Sequence, residues 1–563
     1  MPSVADRRKL DAIDLEIMWN QLVTLVDEAA FAVRRTSTSK VVVEGADFGV
    51  LLYDAAGRMI ASDFAIASKI STIAVLAEKL LENFPASDLR PGDVLVTNNP
   101  WWIMGHLNDL AVLAPLFFDS KIVGFAECRA HMADIGGCLS ARPREVFEEG
   151  LMIPPIKAVE GGQENATFFS MLRANVRVPD QVVSDIHALI TGCRVLEAKL
   201  ANFLKEHGLT TLEPLATEIL GRSQAAMRDG IRQNIPEGEH YGETCVDGFE
   251  EPLTIRVRAT VRDGEVDLDF TGTSLQSDYG VNCTAVYRHV WSTFAIKCLA
   301  APALPSNEGT FAPIRSHAPA GTLLNPSFPA PVKMKPVVGH YIPIAILNAF
   351  GDVVPRRMLA ESGKKSLLYL SGRHPNGRAF SDLTFVMGGV GARTTKDGLH
   401  CTSFPGNVGS IPVEILETVV PILVHHKRLR PDSGGAGRFR GGCGTDFAFE
   451  SRSSMPITAQ AEHGKLDIPP QGLRGGRAGA GGATSVNGRS VSDKLPVSLR
   501  QGDVMRIQTP GSGGMYPPEE RDPAALANDL ANGVVTRDAA IRDYGFEPPA
   551  AEPMARRANG TGC

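Results

Sequence analysis

Asn98-Asn-Pro-Trp-Trp-Ile-Met-Gly-His106-Leu-Asn-Asp109 runs into Leu110-Ala-Val-Leu-Ala-Pro-Leu-Phe-Phe118, then Asp119-Ser120, Lys121-Ile-Val-Gly-Phe-Ala-Glu-Cys-Arg-Ala130 and His131-Met-Ala-Asp134-Ile-Gly-Gly137. Two apolar strands flank an Asp-Ser turn, the pattern of an antiparallel β-hairpin centred near Ser120. In that pairing Asp109 lies across from His131, and such partners hold their Cβ atoms only about 5 Å apart. His106 stands three residues before Asp109, and strict alternation would send the two side chains to opposite faces. The chain must therefore bend between them, and Gly105 and Pro100 provide for it. Two imidazoles and a carboxylate then converge at the open end of the hairpin. These are nitrogen and oxygen donors suited to Mn²⁺, Zn²⁺ or Fe²⁺, with positions left for water and substrate. Asp134 is a fourth ligand or an acceptor that orients His131. A lone His-x-x-Asp pair is common by chance, so the hairpin geometry carries this expectation and the motif does not.

On either side the chain mixes α and β. Residues 11–35 place Leu15, Met18, Leu22, Leu25 and Ala29 at helical spacing, an amphipathic N-terminal brace. Phe48–Tyr53, the turn Asp54–Gly57 and Arg58–Ala61 form a second hairpin. Val182, Ile186, Leu189, Ile190, Cys193, Leu196, Leu200 and Phe203 predict a long helix, with Asp180 as N-cap and Gly208 as its stop. A helix over 213–233 follows a short connection, so the two pair as a helical hairpin that closes the first domain. Beyond it, alternation over 253–261 and 264–270 marks a β-rich texture, interrupted by a helix near 288–299. From about 430 glycine is dense, which suggests tight turns between short strands. The expectation is a multi-domain α+β protein. It has an N-terminal α/β metal-site domain over 1–235, a β-rich middle domain over 236–430, a glycine-rich β region over 431–546 and a disordered tail over 547–563.

At 563 residues, 43% apolar and 21% charged, this is an enzyme-sized globular chain. A net charge of -6 with Lys and Arg scattered gives no nucleic-acid footprint. No apolar run spans a bilayer, no signal peptide opens the chain, and nine cysteines lie singly with no CxxC pair. A cytoplasmic location with reduced thiols is expected.

Asn98-Asn-Pro-Trp…Gly-His106-Leu-Asn-Asp109 and Arg129-Ala-His131-Met-Ala-Asp134-Ile-Gly-Gly137 closely resemble the hydantoinase B/5-oxoprolinase family. That family takes in N-methylhydantoinase B and subunits of acetone and acetophenone carboxylases. Glu148-Glu-Gly-Leu-Met-Ile-Pro-Pro155, Asp269-Phe-Thr-Gly-Thr273, Asn307-Glu-Gly309, Pro412-Val-Glu-Ile-Leu-Glu417, Leu429–Gly437 and Thr509–Gly514 extend the resemblance, in order, over about residues 10–546. It implies a divalent metal on His106, Asp109 and His131. It also implies a separate ATPase subunit of the actin/sugar-kinase type, hydantoinase A-like, that binds ATP and phosphorylates a cyclic amide or ketone substrate within a hetero-oligomer. The chain agrees in showing no G-x-x-x-x-G-K-[ST] loop of its own. Two reactions stay open: ring opening of a hydantoin, lactam or oxoproline, and carboxylation of a ketone; a non-catalytic scaffold is the reading from another class. Ile103-Met104-Gly105 and Lys69 depart from many lactam-opening members, and the Trp101-Trp102 pair is bulkier than usual, which suits a larger apolar substrate.

Other features have plainer readings. Asp432–Gly442 is better taken as packed β-turns than as a phosphate cradle, although Arg438 and Arg440 remain candidate phosphate contacts. Glu44 and Asp47 read first as strand-entrance residues, Cys128 as packing, and His425-His426 as a polar strand end; His463 has no partner nearby in sequence.

Overall fold

The computed structural model of the chain describes residues 11–63, 75–140 and 142–546. Lys69 and the tail over 547–563 lie outside these described residues. Helix Ala12–Thr36 is capped by Asp11, whose carboxylate accepts the N–H groups of Ile13 and Asp14. Its buried stripe of Leu15, Met18, Leu22, Val26, Ala29 and Val33 lies along helix Pro179–His207. That second helix starts two residues earlier than the sequence suggests. Val178 holds the N-cap position and Pro179 enters as its first residue, where the missing N–H costs nothing, so Asp180 sits inside the first turn. Gly208, with φ 64°, closes it in the left-handed conformation.

Strands β1 (Phe48–Asp54), β2 (Met59–Ser62), β3 (Val94–Thr97), β4 (Asp109–Phe118), β5 (Lys121–His131), β6 (Ile156–Glu160) and β7 (Gln163–Glu164) form one antiparallel sheet in the order β2-β1-β5-β4-β3-β6-β7. The β4–β5 hairpin is its centre. Asp119 and Ser120 both take positive φ, 47° and 65°, which matches the primed turns that follow the right-handed twist of a hairpin. Helix Pro179–His207 covers one face of β4 and β5; the opposite face carries the candidate site. Helix Glu213–Asn234 follows through a short connection but packs on other partners, helices Ala285–Ala300 and Glu308–Phe311.

The second sheet joins β8 (Gly238–Val246), β9 (Leu253–Arg262), β10 (Glu265–Asp269) and β11 (Ile314–His317) in the order β11-β10-β9-β8. Helix Ala285–Ala300 lies between β10 and β11 in sequence, and these two strands run parallel. Strands β12 (Ser366–Arg373), β13 (Ala379–Val386), β14 (Ile422–Leu429), β15 (Thr445–Ser451), β16 (Ile457–Glu462), β17 (Ala483–Val486), β18 (Arg489–Ser490), β19 (Val497–Leu499) and β20 (Val504–Gln508) make two further sheets. Their orders are β13-β12-β16-β19 and β14-β15-β20-β17-β18. A core that includes Leu368, Leu370, Phe447, Phe449, Leu499 and Ile507 lies between them. A larger core draws its residues from Leu15 through Val408, with Met515. The glycine-rich segments pack main chain on main chain: a Cβ on Gly511 would strike the Ser433 carbonyl, and one on Gly389 or Gly434 the carbonyl of Gly442 or Gly441. The region ends in two helices, Pro523–Ala531 and Arg537–Tyr544, that the glycine texture does not announce.

Candidate metal centre

Asp109 opens β4, His131 closes β5, and the two are cross-strand partners in the hairpin register. His106 reaches them because the chain turns at Gly105. There φ is +86°, and an added Cβ would meet Thr284 Oγ1 at 3.0 Å and Lys335 Cδ at 3.2 Å, so any other residue is strained and crowds both neighbours. Asn98 holds the loop down: its amide donates to the carbonyls of Leu107 and Leu151, and its oxygen accepts the Ile153 N–H. The His131 N–H donates to the Asp47 carbonyl, which ties β5 to the entrance of β1.

The three side chains are buried, and one donor atom from each lies within 4.8 Å of the other two. His106 Nε2 is 3.0 Å from Asp109 Oδ2, and His131 Nδ1 is 3.5 Å from Asp109 Oδ1. His106 Nδ1 lies 2.8 Å from the Lys333 carbonyl, which can only accept, so Nδ1 carries the proton and Nε2 presents its lone pair to the centre. Glu149 fixes that carbonyl in turn, because its Oε1 accepts the N–H groups of Val332 and Lys333. Burial pushes the His106 pKa down to about 4, against the pull of Asp109 and with help from Lys335. The imidazole is therefore neutral at pH 7, the form that binds metal. Among the described residues this is the one group of three His, Cys, Asp or Glu side chains close enough to share an ion. The donor chemistry, burial and anchored tautomer fit a divalent metal.

Lys335 enters from the far side. Its ammonium donates to Asp109 Oδ2 at 2.5 Å and to the Met104 carbonyl, and stands 4.5 Å from the Tyr287 ring centre. His340, Lys365 and Tyr369 also line the cavity, whose volume is about 40 Å³, room for an ion and a few waters. Sequence reasoning missed these residues. The signal that could have found them is the charge pattern of Val332-Lys-Met-Lys-Pro-Val-Val-Gly-His340, two lysines and a histidine in an otherwise apolar run.

The remaining candidates lie elsewhere. Both oxygens of Asp134 are taken by Arg177, through its backbone N–H and its guanidinium, so this carboxylate orients neither histidine. Asp47 lines the cavity, whereas Glu44 and the Trp101-Trp102 pair do not, so the indoles do not report on the size of what enters. Cys128 points to the helix side of β5, 3.6 Å from the Cys193 sulfur. His425 and His426 each face a carboxylate on β15, Glu450 and Asp446. His463 is bound by the hydroxyls of Ser366 and Thr484. Arg440 is buried against Asp529 and so cannot meet a phosphate, and Arg438 faces Glu520.

A profile of the hydantoinase B/oxoprolinase family matches residues 11–518. The chain belongs to the hydantoinase B/oxoprolinase family. Within that family it is 27% identical to the B component of a putative D-/L-hydantoinase from Pseudomonas sp. strain NS671, over 96% of both chains. The crystal structure of the ATP-dependent caprolactamase from Pseudomonas jessenii superposes with a TM-score of 0.88 at 25% identity, covering 98% of this chain and 99% of that one. Nucleotide-free acetone carboxylase shares the fold, with a TM-score of 0.85 at 18% identity, covering 96% of this chain and 80% of that one. No helix among the described residues is long and apolar enough to cross a membrane.

Proposed function

We propose that this chain is the metal-dependent subunit of a two-component, ATP-dependent hydrolase of the hydantoinase/5-oxoprolinase type, which opens a cyclic amide after a partner ATPase subunit has phosphorylated it. The observation that carries the reading is the buried His106–Asp109–His131 cluster at the mouth of one hairpin, facing a cavity. Relatives named as the B component of a hydantoinase and the β component of a caprolactamase support a two-component assembly. His106, Asp109 and His131 would hold the ion. When bound, it would polarise a carbonyl or phosphoryl oxygen and make water nucleophilic at neutral pH. The chain's own residues set the stage. His106 presents a neutral nitrogen because Lys333 holds its other one. Lys335 donates to Asp109 and places positive charge where negative charge develops on a substrate oxygen. The aromatic and aliphatic walls exclude bulk water, which strengthens both effects.

A second reading, ketone carboxylation, rests on the fold shared with acetone carboxylase. ATP hydrolysis by the complex with its partner ATPase decides between the two: stimulation by a lactam alone supports ring opening, and stimulation by a ketone only with bicarbonate supports carboxylation. The Asp109→Ala variant should assemble with the partner, lose about tenfold or more of its bound metal and show no turnover. Normal turnover without metal would reduce the chain to a scaffold.

A further inference from the structure

Beside the metal cavity, on the same face of the β12–β16 pair, lies a second, smaller one. Glu462 and Gln460 project from the same face of β16, and their cross-strand partners on β12 are Leu367 and Tyr369, which line the metal cavity. Pro336 belongs to the first cavity and Val337 to the second. The second space, about 30 Å³, is bordered by Glu462, Gln460, Asp493, Asp247 and Gly464. Gly464, at φ +79°, keeps it open, since a Cβ there would stand 3.3 Å from both Lys364 Nζ and Val337 Cγ1.

The acceptors in this space outnumber the donors. Glu462 is 5% exposed, and neither of its carboxylate oxygens has a hydrogen-bond donor. Gln460 is 2% exposed, and its amide oxygen also lacks one. Lys364 comes no nearer to Glu462 than 3.8 Å, and its ammonium donates to the Pro336 carbonyl instead. Asp247 is occupied by the N–H groups of Leu466, Asp467 and Ile468, and Asp493 accepts one from His463. Lys494 donates to the Phe249 carbonyl. Three carboxylates thus face two ammonium groups, with three buried oxygens undonated.

Such oxygens are costly unless something positive meets them. A single proton on Glu462 would serve one acceptor, whereas an ion coordinated at the centre serves all three at once. We propose that this cavity binds a hard, oxygen-seeking cation of the alkali or alkaline-earth class, held by Glu462, Gln460 and Asp493 and separate from the ion at His106, Asp109 and His131. No imidazole or thiolate lines the space, which sets its selectivity against the transition metals suited to the first site. The bound cation neutralises the wall that carries Leu367 and Tyr369 and so steadies the floor of the metal cavity.

The full-length protein, titrated with KCl, NaCl, MgCl₂ or CaCl₂ against choline chloride at constant ionic strength, tests this through its Tm. At least one of the four should raise Tm saturably by about 2 °C or more. Glu462→Gln should abolish the rise, and Asp109→Asn, which disables the first site, should keep it. A response no different from choline, or an unchanged response in Glu462→Gln, overturns the proposal whatever the fate of the metal centre. Should Glu462→Gln fail to fold, wild-type crystals soaked in rubidium chloride or calcium chloride give the answer. An ion between Glu462, Gln460 and Asp493 supports the proposal; water alone, as when Glu462 is simply protonated, refutes it.

Discussion

Lys335 meets Asp109 from 226 positions away in the chain, and its ammonium competes with any ion for the same carboxylate. Replacing it separates holding the metal from using it. Lys335→Met should keep or increase the metal content and lower turnover by about tenfold or more, because the charge facing the substrate oxygen is lost. Loss of metal together with turnover would show that Lys335 serves only to place Asp109.

His463 provides a reading by pH. Burial pushes its pKa down to about 3, and both ring nitrogens are engaged by hydroxyls. The unfolded chain protonates this ring near pH 6.5 and the folded one does not, so its contribution is complete above 6.5 and is lost as pH falls toward 3. In His463→Gln, stability between pH 6 and 4 should therefore fall less steeply, by about 1.4 kcal/mol per pH unit, as followed by denaturant titration at each pH.

At this scale the sequence was legible where neighbours in sequence are neighbours in space. His106, Asp109 and His131 belong to one hairpin, and strand alternation plus one glycine was enough to bring them together. Lys335, His340 and Lys365 reach the cavity only by tertiary packing, and Asp134 lies three residues past His131 yet turns to Arg177, which no local pattern announces.

Gly105 is the hinge on which the element scale depends. Gly105→Ala should cost about 1–2 kcal/mol in backbone conformation and push against Thr284 and Lys335, displacing His106 and lowering turnover by about tenfold. Gly161→Ala is the control, since it shares a positive φ, at 53°, with nothing within 4 Å of the added methyl. Equal losses of activity in the two variants would remove the steric argument. Hairpins and long helices were legible because each is specified by its own periodicity and punctuation. The helix start at Val178 was not, because proline at the first turn and aspartate at the cap are both good openings and only packing chooses between them. Helices Pro523–Ala531 and Arg537–Tyr544 were hidden by the glycine-rich texture before them.

Across the whole molecule, the change from helical to alternating texture near residue 235 and the α+β class could be read from the sequence. The order of the sheets could not, since β12 pairs with β16 across intervening strands and no local signal encodes that choice. The glycine seams hold these distant segments in register. Gly511→Ala should lower Tm by about 5 °C or more or abolish soluble expression, because a methyl group there meets the Ser433 main chain, which cannot move aside as a side chain could. A Tm within 1 °C of wild type would show the seam to be compliant.

The division of the metal cavity between one early hairpin and a late wall has a consequence in time. At a synthesis rate of about 5–20 residues per second, the roughly 200 residues between His131 and Lys335 take about 10–40 s to add. For that interval a growing polypeptide already carries His106, Asp109 and His131, while Lys335, which contends for the aspartate, is still to be added. Under the proposed metal role, ion capture would thus precede enclosure, with the ribosome setting the order.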